Sequence, residues 1–410
     1  MSQDTRQHMR TTSRWLLLGP AFVAAIAYVD PGNVAANVSA GAQFGYLLVW
    51  VIVMANVMAG LVQYLSAKLG LVTGRSLPEA VADRTTTGSR IGYWIQAELV
   101  AMATDLAEVV GGAIALYLLF DLPLLVGGIL TGAVSLLLLA VQNRRGQQMF
   151  ERVITGLLLI IAVGFLTSLF VEAPPAADVA GGLIPRFDGA ESILLATAML
   201  GATVMPHAVY LHSGLARDRH GHPDPGPARR LLLRMTRYDV ALAMLVAGAV
   251  NLAMLLVAAT NLQGLDNTDS IEGAHAAVRD ALGPTVALLF AIGLLASGLA
   301  STSVGAYAGA MIMQGLLHRS YPLLLRRLIT LIPALAILAL GVDPSRVLVL
   351  SQVVLSFGIP LALIPLVRLT GNPTLMGQDV NHRVTTALGW AVAGVISLLN
   401  VVLIYLTVST

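Results

Sequence analysis

The sequence predicts an all-α integral membrane protein of eleven transmembrane helices, and three observations carry this prediction. Hydrophobic residues make up 57% of the 410 residues and charged residues only 11%, unlike the composition of a soluble domain. Apolar runs of eighteen residues or more, each long enough to cross a bilayer as a helix, recur along the chain. Apolar and polar residues do not alternate with the period of a strand, so a membrane barrel is not expected. The predicted spans are residues 15–39, 46–69, 91–119, 122–142, 153–172, 190–215, 238–260, 284–315, 328–342, 346–367 and 385–408.

The basic residues give this count a topology. If the N-terminal tail, residues 1–14, is cytoplasmic, then 21 of the 24 Lys and Arg residues fall on the cytoplasmic side. The exceptions are Arg186, Arg279 and Arg346. Cytoplasmic loops of membrane proteins carry such an excess of basic residues. The eleven spans then place the C-terminus outside, and the net charge of +2 reflects topology rather than a surface for nucleic acid.

The loops are short, which indicates a single transmembrane domain over residues 15–410. The longest connector, residues 216–237, contains His220 and His222 among several Pro and Gly residues. We interpret it as a solvated linker rather than a metal sensor, since Pro and Gly are typical of loops. The chain has no cysteine, which excludes disulfides, thiolate zinc sites and cysteine nucleophiles.

Two short motifs interrupt apolar spans: Asp30-Pro31-Gly32-Asn33 in the first span and Met205-Pro206-His207 in the sixth. Proline removes a backbone donor and clashes with the preceding turn, so carbonyls near each break lose their helical partners. Interrupted helices at corresponding positions of two halves mark the binding site of a transporter.

The positions of the breaks predict two units of five spans. The first repeat covers about residues 15–172, the second about residues 190–367, and an extra helix covers about residues 385–408. Because five is odd, the second unit has the opposite orientation to the first. The interface of such an inverted repeat, near the middle of the bilayer, is where substrate binds.

The side chains at the breaks are suited to a cation. Asp30 supplies a carboxylate and Asn33 an amide oxygen, and the breaks free the carbonyls of Ala27 and Ala202. The alternative for Asp30, a helix cap, is compatible with this role. Met205 supplies a thioether, which suits softer transition metals better than Ca²⁺ or Mg²⁺. A lone Met in a membrane helix is more often core packing, so its place beside Pro206 is what favours metal binding.

The third span carries Glu98, Asp105 and Glu108 on one stripe of roughly 80°. Acids inside a bilayer are costly and usually serve a polar pathway, so we favour a proton route. The alternative is a structural network with basic partners, for which Arg326 and Arg327 are candidates. His207 is expected to carry protons or to stabilise the helix rather than to bind metal.

Four intramembrane amides are also present: Asn56, Gln63, Asn251 and Gln352. Most of them are expected to form hydrogen bonds between helices. Gln352 is the one expected to reach an ion.

At these residues the chain resembles the Nramp family of divalent-metal transporters, in particular its bacterial proton-dependent manganese transporters. The resemblance is carried by residues 27–33, 96–108 and 201–207 and extends from about Trp15 to the end of the last span. It implies the leucine-transporter-type inverted repeat with broken helices 1 and 6, alternating access, and a multi-pass protein of the bacterial inner membrane. It also implies a protein that has no cofactor and functions as a monomer.

The resemblance also implies roles for individual residues. The metal, Mn²⁺ or Fe²⁺, would be bound by Asp30, Asn33, Met205 and the carbonyls of Ala27 and Ala202, joined in some conformations by Gln352. Protons would move through a route containing Asp30, Glu98, Asp105, Glu108, His207, Arg326 and Arg327.

Three other functions are alternatives to metal transport. A sodium-coupled amino-acid transporter of the same architecture would bind a substrate carboxylate at exposed helix amides, where Asp30 would repel it. An intramembrane metalloprotease needs a motif such as His-Glu-x-x-His, which the sequence lacks, so the chain is not expected to be an enzyme. A channel is harder to separate from a transporter, because the sequence does not show whether two gates open together.

Overall fold

A computed structural model describes residues 19–145, 147–171, 173–265, 270–319 and 322–409. The predicted tail, residues 1–14, and the first residues of the first repeat lie outside the described residues. The described chain is helical and contains no strand. The helices, numbered in chain order, are α1 (Pro20–Ile26), α2 (Pro31–Phe44), α3 (Val49–Thr73), α4 (Leu77–Ala82), α5 (Thr87–Phe120), α6 (Leu124–Arg145), α7 (Gln147–Val171), α8 (Ala176–Gly181), α9 (Gly189–Thr203), α10 (Pro206–His220), α11 (Pro227–Asn261), α12 (Ile271–Leu282), α13 (Pro284–Leu317), α14 (Leu323–Leu340), α15 (Pro344–Thr370), α16 (Pro373–Met376) and α17 (Arg383–Ser409).

Eight helical segments in the described part of the chain are long and apolar enough to cross a membrane, with α9 and α10 counted together. The other predicted spans coincide with the pair α1 and α2, with α6 and with α14. The number eleven therefore stays a prediction, while the all-helical membrane architecture is confirmed.

In two places helices extend beyond the predicted spans. The ninth span was predicted to begin at about residue 328, and α14 begins at Leu323, because Arg326 and Arg327 lie inside the helix and pair with acids of α5. The predicted connector 216–237 is mostly helical, and only residues 221–226 separate α10 from α11. Basic residues in the last turn of α10 interact favourably with the negative end of the helix dipole. Pro227 suits the first turn of α11, where its missing N–H has no intrahelical partner to lose.

The first helix break has a defined geometry. After α1, residues Ala27–Val29 form a single 3-10 turn, and Asp30 is extended with φ −70° and ψ 169°. Pro31 then occupies the first turn of α2, where its missing N–H has no intrahelical partner to lose. The predicted cap is present, since the backbone N–H of Asn33 donates to Asp30 Oδ1 at 2.7 Å.

The second break repeats this design. The helix α9 ends at Thr203, Val204 leaves helical geometry, and Met205 is extended with φ −61° and ψ 124°. Pro206 begins α10. Proline therefore starts the second half of each broken helix.

The broken helices lie at the centre of the bundle. In the apolar window of Gly189–His220, 89% of the residues are buried inside the molecule, against 33% in the window of Arg383–Leu406. The helix α17 is therefore peripheral, which fits its predicted position outside the two repeats. The helices at the centre approach closely where one carries glycine: a Cβ at Gly70 of α3 would lie 1.9 Å from the carbonyl oxygen of Ser213 in α10.

Basic residues from three parts of the chain meet at one end of the bundle. Arg217 pairs with Glu79, Arg229 Nη1 lies 3.1 Å from Asp379, and Lys68 Nζ donates to Asn381 Oδ1 at 2.8 Å. We call this the basic end.

We expect the contact between α3 and α10 to depend on Gly70. Gly70→Ala places a methyl group against backbone that cannot rotate away, and such overpacking lowers the free energy of unfolding by about 1–3 kcal/mol. The measurement is the thermal unfolding midpoint of detergent-solubilised protein.

The matched control is Gly60→Ala in the same helix, where the added Cβ would meet its nearest atom, Met244 Cγ, at 3.7 Å. Alanine favours the helix at both positions. Equal midpoints for the two variants would contradict the predicted close approach.

Candidate metal site

The two helix breaks meet through the side chain of Asn33. Its Nδ2 donates to Asp30 Oδ1 at 2.8 Å in the first break and to the carbonyl oxygen of Ala202 at 2.9 Å in the second. The hydroxyl of Thr203 donates to Asn33 Oδ1 at 3.5 Å. The structure thus brings residues 169 positions apart to one point.

Each predicted ligand is buried at this point or beside it. Asp30, Asn33 and Met205 are 0% exposed, and Ala27 and Ala202 are buried as well. The second carboxylate oxygen of Asp30, Oδ2, has no hydrogen-bond partner. A buried oxygen without a donor is costly, and a cation is one of the groups that can satisfy it.

Gln352 of α15 packs against both breaks. A Cβ at Gly32 would overlap its side chain, 1.7 Å from Nε2, and a Cβ at Gly201 would lie 2.0 Å from its carbonyl oxygen. Gln352 Nε2 donates to Ser351 Oγ at 3.1 Å, while Oε1 is buried without a partner. The side chain predicted to reach an ion therefore lies next to the break and has a free acceptor.

Other helices satisfy carbonyls that the first break releases. The carbonyl oxygen of Tyr28 accepts from Asn251 Nδ2 at 2.8 Å, and that of Val29 accepts from Ser297 Oγ at 2.5 Å. Asn251 matches the expectation of an amide that joins helices, whereas Ser297 was missed. A signal was present, because Ser297, Ser301, Thr302 and Ser303 form a hydroxyl-rich stretch in an apolar helix.

The donor set at the breaks is mixed. Asp30 supplies a carboxylate, Asn33 and Gln352 supply amide oxygens and Ala202 supplies a carbonyl, while Met205 lies buried within the second break. The described residues include no group of three or more His, Cys, Asp and Glu residues that could hold a metal ion. A site here would therefore rely on sulfur and neutral oxygen beside a single acid, which suits a borderline transition metal.

The three acids of α5 have different partners. Glu98 forms an ion pair with Arg326 at 2.9 Å, and Asp105 forms one with Arg327. Arg327 also donates to Ser135 Oγ at 3.2 Å and to the hydroxyl of Thr302. The sequence left open a structural ion pair for one of these acids, and the structure contains such a pair for both Glu98 and Asp105.

Glu108 is the exception. It is 0% exposed, none of the ion pairs of the described residues includes it, and the Thr302 hydroxyl lies beside its carboxylate. It lies within electrostatic range of Asp30, Asp105 and Arg327. Gly305 of α13 faces it so closely that a Cβ there would lie 3.2 Å from Oε1. Glu108 thus lies between the helix break and the Asp105–Arg327 pair.

His207 is buried beside the same group of charges. Its Nδ1 lies 3.4 Å from Thr104 Oγ1, its Nε2 has no partner, and it is within electrostatic range of Asp105. Two other amides join helices as expected, since Asn56 Nδ2 donates to the Met244 carbonyl at 3.0 Å and Gln63 Oε1 lies 2.7 Å from His212 Nδ1.

Asp239 is a further acid that sequence reasoning missed. Its two carboxylate oxygens accept from the backbone N–H groups of Gly19 and Ala21, each at 3.0 Å. It thereby holds the start of α1, the first half of a broken helix, against α11. The signal in the sequence was an acid at the edge of an apolar span, next to Arg237 and Tyr238.

The model of the family "Nramp: Natural resistance-associated macrophage protein-like" matches residues 21–406. A divalent metal cation transporter MntH of Mycobacterium tuberculosis is 73% identical over 409 residues, which cover 100% of this chain and 95% of that relative.

Solved structures agree with this similarity. A manganese transporter of Eremococcus coleocola, in complex with an aromatic bis-isothiourea substituted compound, matches with a TM-score of 0.83 and 31% identity. The match covers 94% of this chain and 86% of the other. A nucleobase-cation-symport-1 family transporter in a closed conformation shares the fold alone, with a TM-score of 0.61 and 15% identity over 96% of this chain and 93% of the other.

The fold prediction of a leucine-transporter-type membrane protein is confirmed by these neighbours. Because the family model covers nearly all of it and a relative matches it end to end at 73% identity, the chain belongs to the Nramp family.

Proposed function

We propose that this protein is a proton-coupled secondary transporter that imports divalent transition-metal ions, such as Mn²⁺ and Fe²⁺, by alternating access. The observation that carries the proposal is the junction of the two helix breaks, where Asp30 and Asn33 meet Ala202. Relatives named as divalent metal cation and manganese transporters support the same function. The protein is then a transporter rather than an enzyme, and the metal is its cargo.

The proposed ligands are the predicted ones: Asp30, Asn33, Met205, Gln352 and the carbonyls of Ala27 and Ala202. Asn33 Nδ2 now donates to two of the acceptors that a metal needs. Turning the Asn33 amide by half a turn exchanges its nitrogen and oxygen. A cation at the junction would favour the turned amide, because three oxygens would then face it.

Binding of the metal is proposed to be coupled to movement of the helix halves. Because Asp30, Asn33 and Met205 are 0% exposed, the ion has no open path to either side in this structure. Opening to the basic end would need the start of α1 to leave Asp239, whose carboxylate holds it through two backbone hydrogen bonds.

For the proton we propose a route that begins at Asp30 and Glu108. Glu108 is supported as the mobile proton site because no arginine of the described residues pairs with it, whereas Glu98 and Asp105 are held by Arg326 and Arg327. Those two ion pairs and His207 would continue the route. A membrane potential of 100 mV, negative inside, contributes roughly 2.3 kcal/mol for each positive charge that enters.

The proposed location is the bacterial inner membrane, with the basic end in the cytoplasm, the N-terminus on the same side and the C-terminus outside. The excess of basic residues on that side supports this orientation. We propose a functional monomer, because both breaks and all the proposed ligands belong to one chain.

The alternative, a sodium-coupled amino-acid transporter, is not favoured by the relatives, which are named as metal transporters. The single acid at the junction also argues against an anionic substrate there. Metal uptake that persists without Na⁺ separates the two functions.

The role of Met205 predicts how metals are discriminated. In proteoliposomes, Met205→Ala should retain some Mn²⁺ uptake but admit Ca²⁺. The loss of preference should be about tenfold or more, or about 1.4 kcal/mol, because the variant removes the ligand that Ca²⁺ does not use.

The matched control is Met199→Ala, which removes a buried Met of α9 that lies outside the break. It should leave discrimination unchanged. An unaltered preference for Mn²⁺ over Ca²⁺ in Met205→Ala would remove the thioether from the proposed ligands.

The role of Asp30 predicts a loss of binding. Asp30→Ala should abolish saturable metal binding, measured by calorimetry.

The role of Glu108 predicts a separation of metal and proton movement. Glu108→Gln keeps the shape of the side chain but cannot bind and release a proton. Metal uptake should therefore continue while acidification of the vesicle interior falls toward that of protein-free vesicles. The measurement combines a metal-sensitive and a pH-sensitive dye inside the vesicles.

Glu272→Gln is the control, because Glu272 lies on the short helix α12 away from the proposed route. This variant should acidify the vesicles like the unmodified protein. If Glu108→Gln and Asp105→Asn both acidify fully, the third span takes no part in proton movement.

The pair of Arg327 with Asp105 predicts a stability effect. Arg327→Met leaves the buried carboxylate of Asp105 without its cation, which should lower the free energy of unfolding by about 3–5 kcal/mol. The double variant Arg327→Met with Asp105→Leu removes both charges and should regain most of this loss. The measurement is a double-mutant cycle of unfolding midpoints in detergent. A double variant as unstable as the single one would mean that Arg327 acts mainly through its other contacts.

A further inference from the structure

A positively charged cavity lies at the basic end, apart from the metal site. It has a volume of about 260 Å³ and lies between the end of α3, the first half of α11 and the segment that precedes α17. The charged residues that line it are Lys68, Arg230, Arg234, Arg237 and Asp379, and His382 lies beside them.

The charge of this cavity is not balanced by the protein around it. Arg230, Arg234 and Arg237 follow each other at intervals of four and three residues, so they lie on one face of α11. The acid of the lining, Asp379, already pairs with Arg229 at 3.1 Å. Like charges at this spacing repel each other, and an anion in the cavity would relieve the repulsion.

Two side chains are held in position at the cavity wall. Lys68 is 7% exposed, and its Nζ donates one of its three hydrogens to Asn381 Oδ1 at 2.8 Å. The Arg237 guanidinium carbon lies 4.9 Å from the centre of the Tyr64 ring, within the range of a cation–π contact. Both contacts hold a basic side chain at the cavity wall.

An apolar groove lies further along α3, between this helix and α17. It has a volume of about 440 Å³ and is lined by apolar side chains of α3 from Trp50 to Leu61, of α17 from Leu388 to Leu399, and of α9. Leu61 is three residues from Tyr64, roughly 4.5 Å along α3, and Leu388 is six residues from His382, roughly 9 Å along α17. The groove thus begins about one to two helical turns from the charged cavity.

We propose that the cavity and the groove form one binding site for an anionic phospholipid of the leaflet at the basic end. The phosphate and headgroup would lie among Lys68, Arg230 and Arg234, and an acyl chain would follow the groove between α3 and α17. The unbalanced cations favour an anionic over a zwitterionic lipid. The groove favours a lipid over free phosphate, because a soluble anion leaves it empty. Basic pockets between transmembrane helices bind anionic headgroups in this manner.

The experiment measures the affinity of purified full-length protein for phosphatidylglycerol and for phosphatidylcholine with the same acyl chains, by native mass spectrometry. Phosphatidylglycerol should bind more tightly. Arg230→Gln with Arg234→Gln should weaken its binding by about tenfold or more, because each basic residue near a headgroup contributes to the attraction. Both arginines are exposed, so the double variant should fold.

The control with the same change in charge is Arg75→Gln with Arg152→Gln, two exposed arginines that do not line the cavity. It should leave the affinity for phosphatidylglycerol unchanged. Equal affinity for the two lipids, or equal weakening by both double variants, would overturn the proposal.

A third variant tests the groove. Val395 is 48% exposed on α17 and lines the groove, so Val395→Trp should fill part of it without disturbing the core. It should weaken phosphatidylglycerol binding, and inorganic phosphate at millimolar concentration should not displace the lipid. Full binding by Val395→Trp together with displacement by phosphate would show a site for soluble anions and overturn the lipid assignment.

Discussion

The structure depends on how backbone groups are satisfied where two helices are interrupted in an apolar interior. A carbonyl that loses its helical partner at this depth needs another donor, because lipid offers none. Asn251 and Ser297 supply donors to the first break, and Asn33 supplies one to the second. The breaks are thus stable only because α2, α11 and α13 surround them. The same arrangement leaves two buried acceptors, Asp30 Oδ2 and Gln352 Oε1, without hydrogen-bond partners. These are the atoms that the proposed cation would satisfy.

Buried charges, like the backbone carbonyls at the breaks, are satisfied by partners from other helices. Arg326 and Arg327 neutralise Glu98 and Asp105, and hydroxyls of Ser135 and Thr302 support Arg327. One acid of the third span is left without this compensation. In the proposed mechanism this acid takes protons from its neighbours and returns protons to them. The arrangement therefore separates two acids that are paired with arginine from one acid that is not.

The sequence predicted the parts of this protein that local chemistry determines. Proline locates both breaks, and Asp30 and Asn33 beside the first proline meet the Ala202 carbonyl of the second break. This junction could therefore be anticipated without a structure, while the role of Met205 stays a prediction. The helical spans follow from length and apolarity. Apolarity does not locate the end of a helix where charged residues continue it, as Arg326 and Arg327 do in α14.

Contacts between distant parts of the chain could not be predicted from spacing. The pairing of Glu98 with Arg326 joins residues 228 positions apart, and the contact of Asp239 with Ala21 joins residues 218 positions apart. Nothing in the sequence near Glu108 distinguishes it from Asp105, because the difference lies in α14 and not in α5. The sequence shows the glycines beside both breaks, but it does not show that Gln352 packs against them.

The contact of Asp239 with α1 limits which of its residues can be replaced. One half of the contact is main chain, the N–H groups of Gly19 and Ala21. Gly19 has a φ of +144°, which residues with a side chain rarely adopt, and a Cβ there would lie 3.0 Å from Glu151 Oε2. The side chain at residue 21 therefore contributes nothing to the two bonds, whereas replacing Gly19 or Asp239 would weaken the attachment of the first helix.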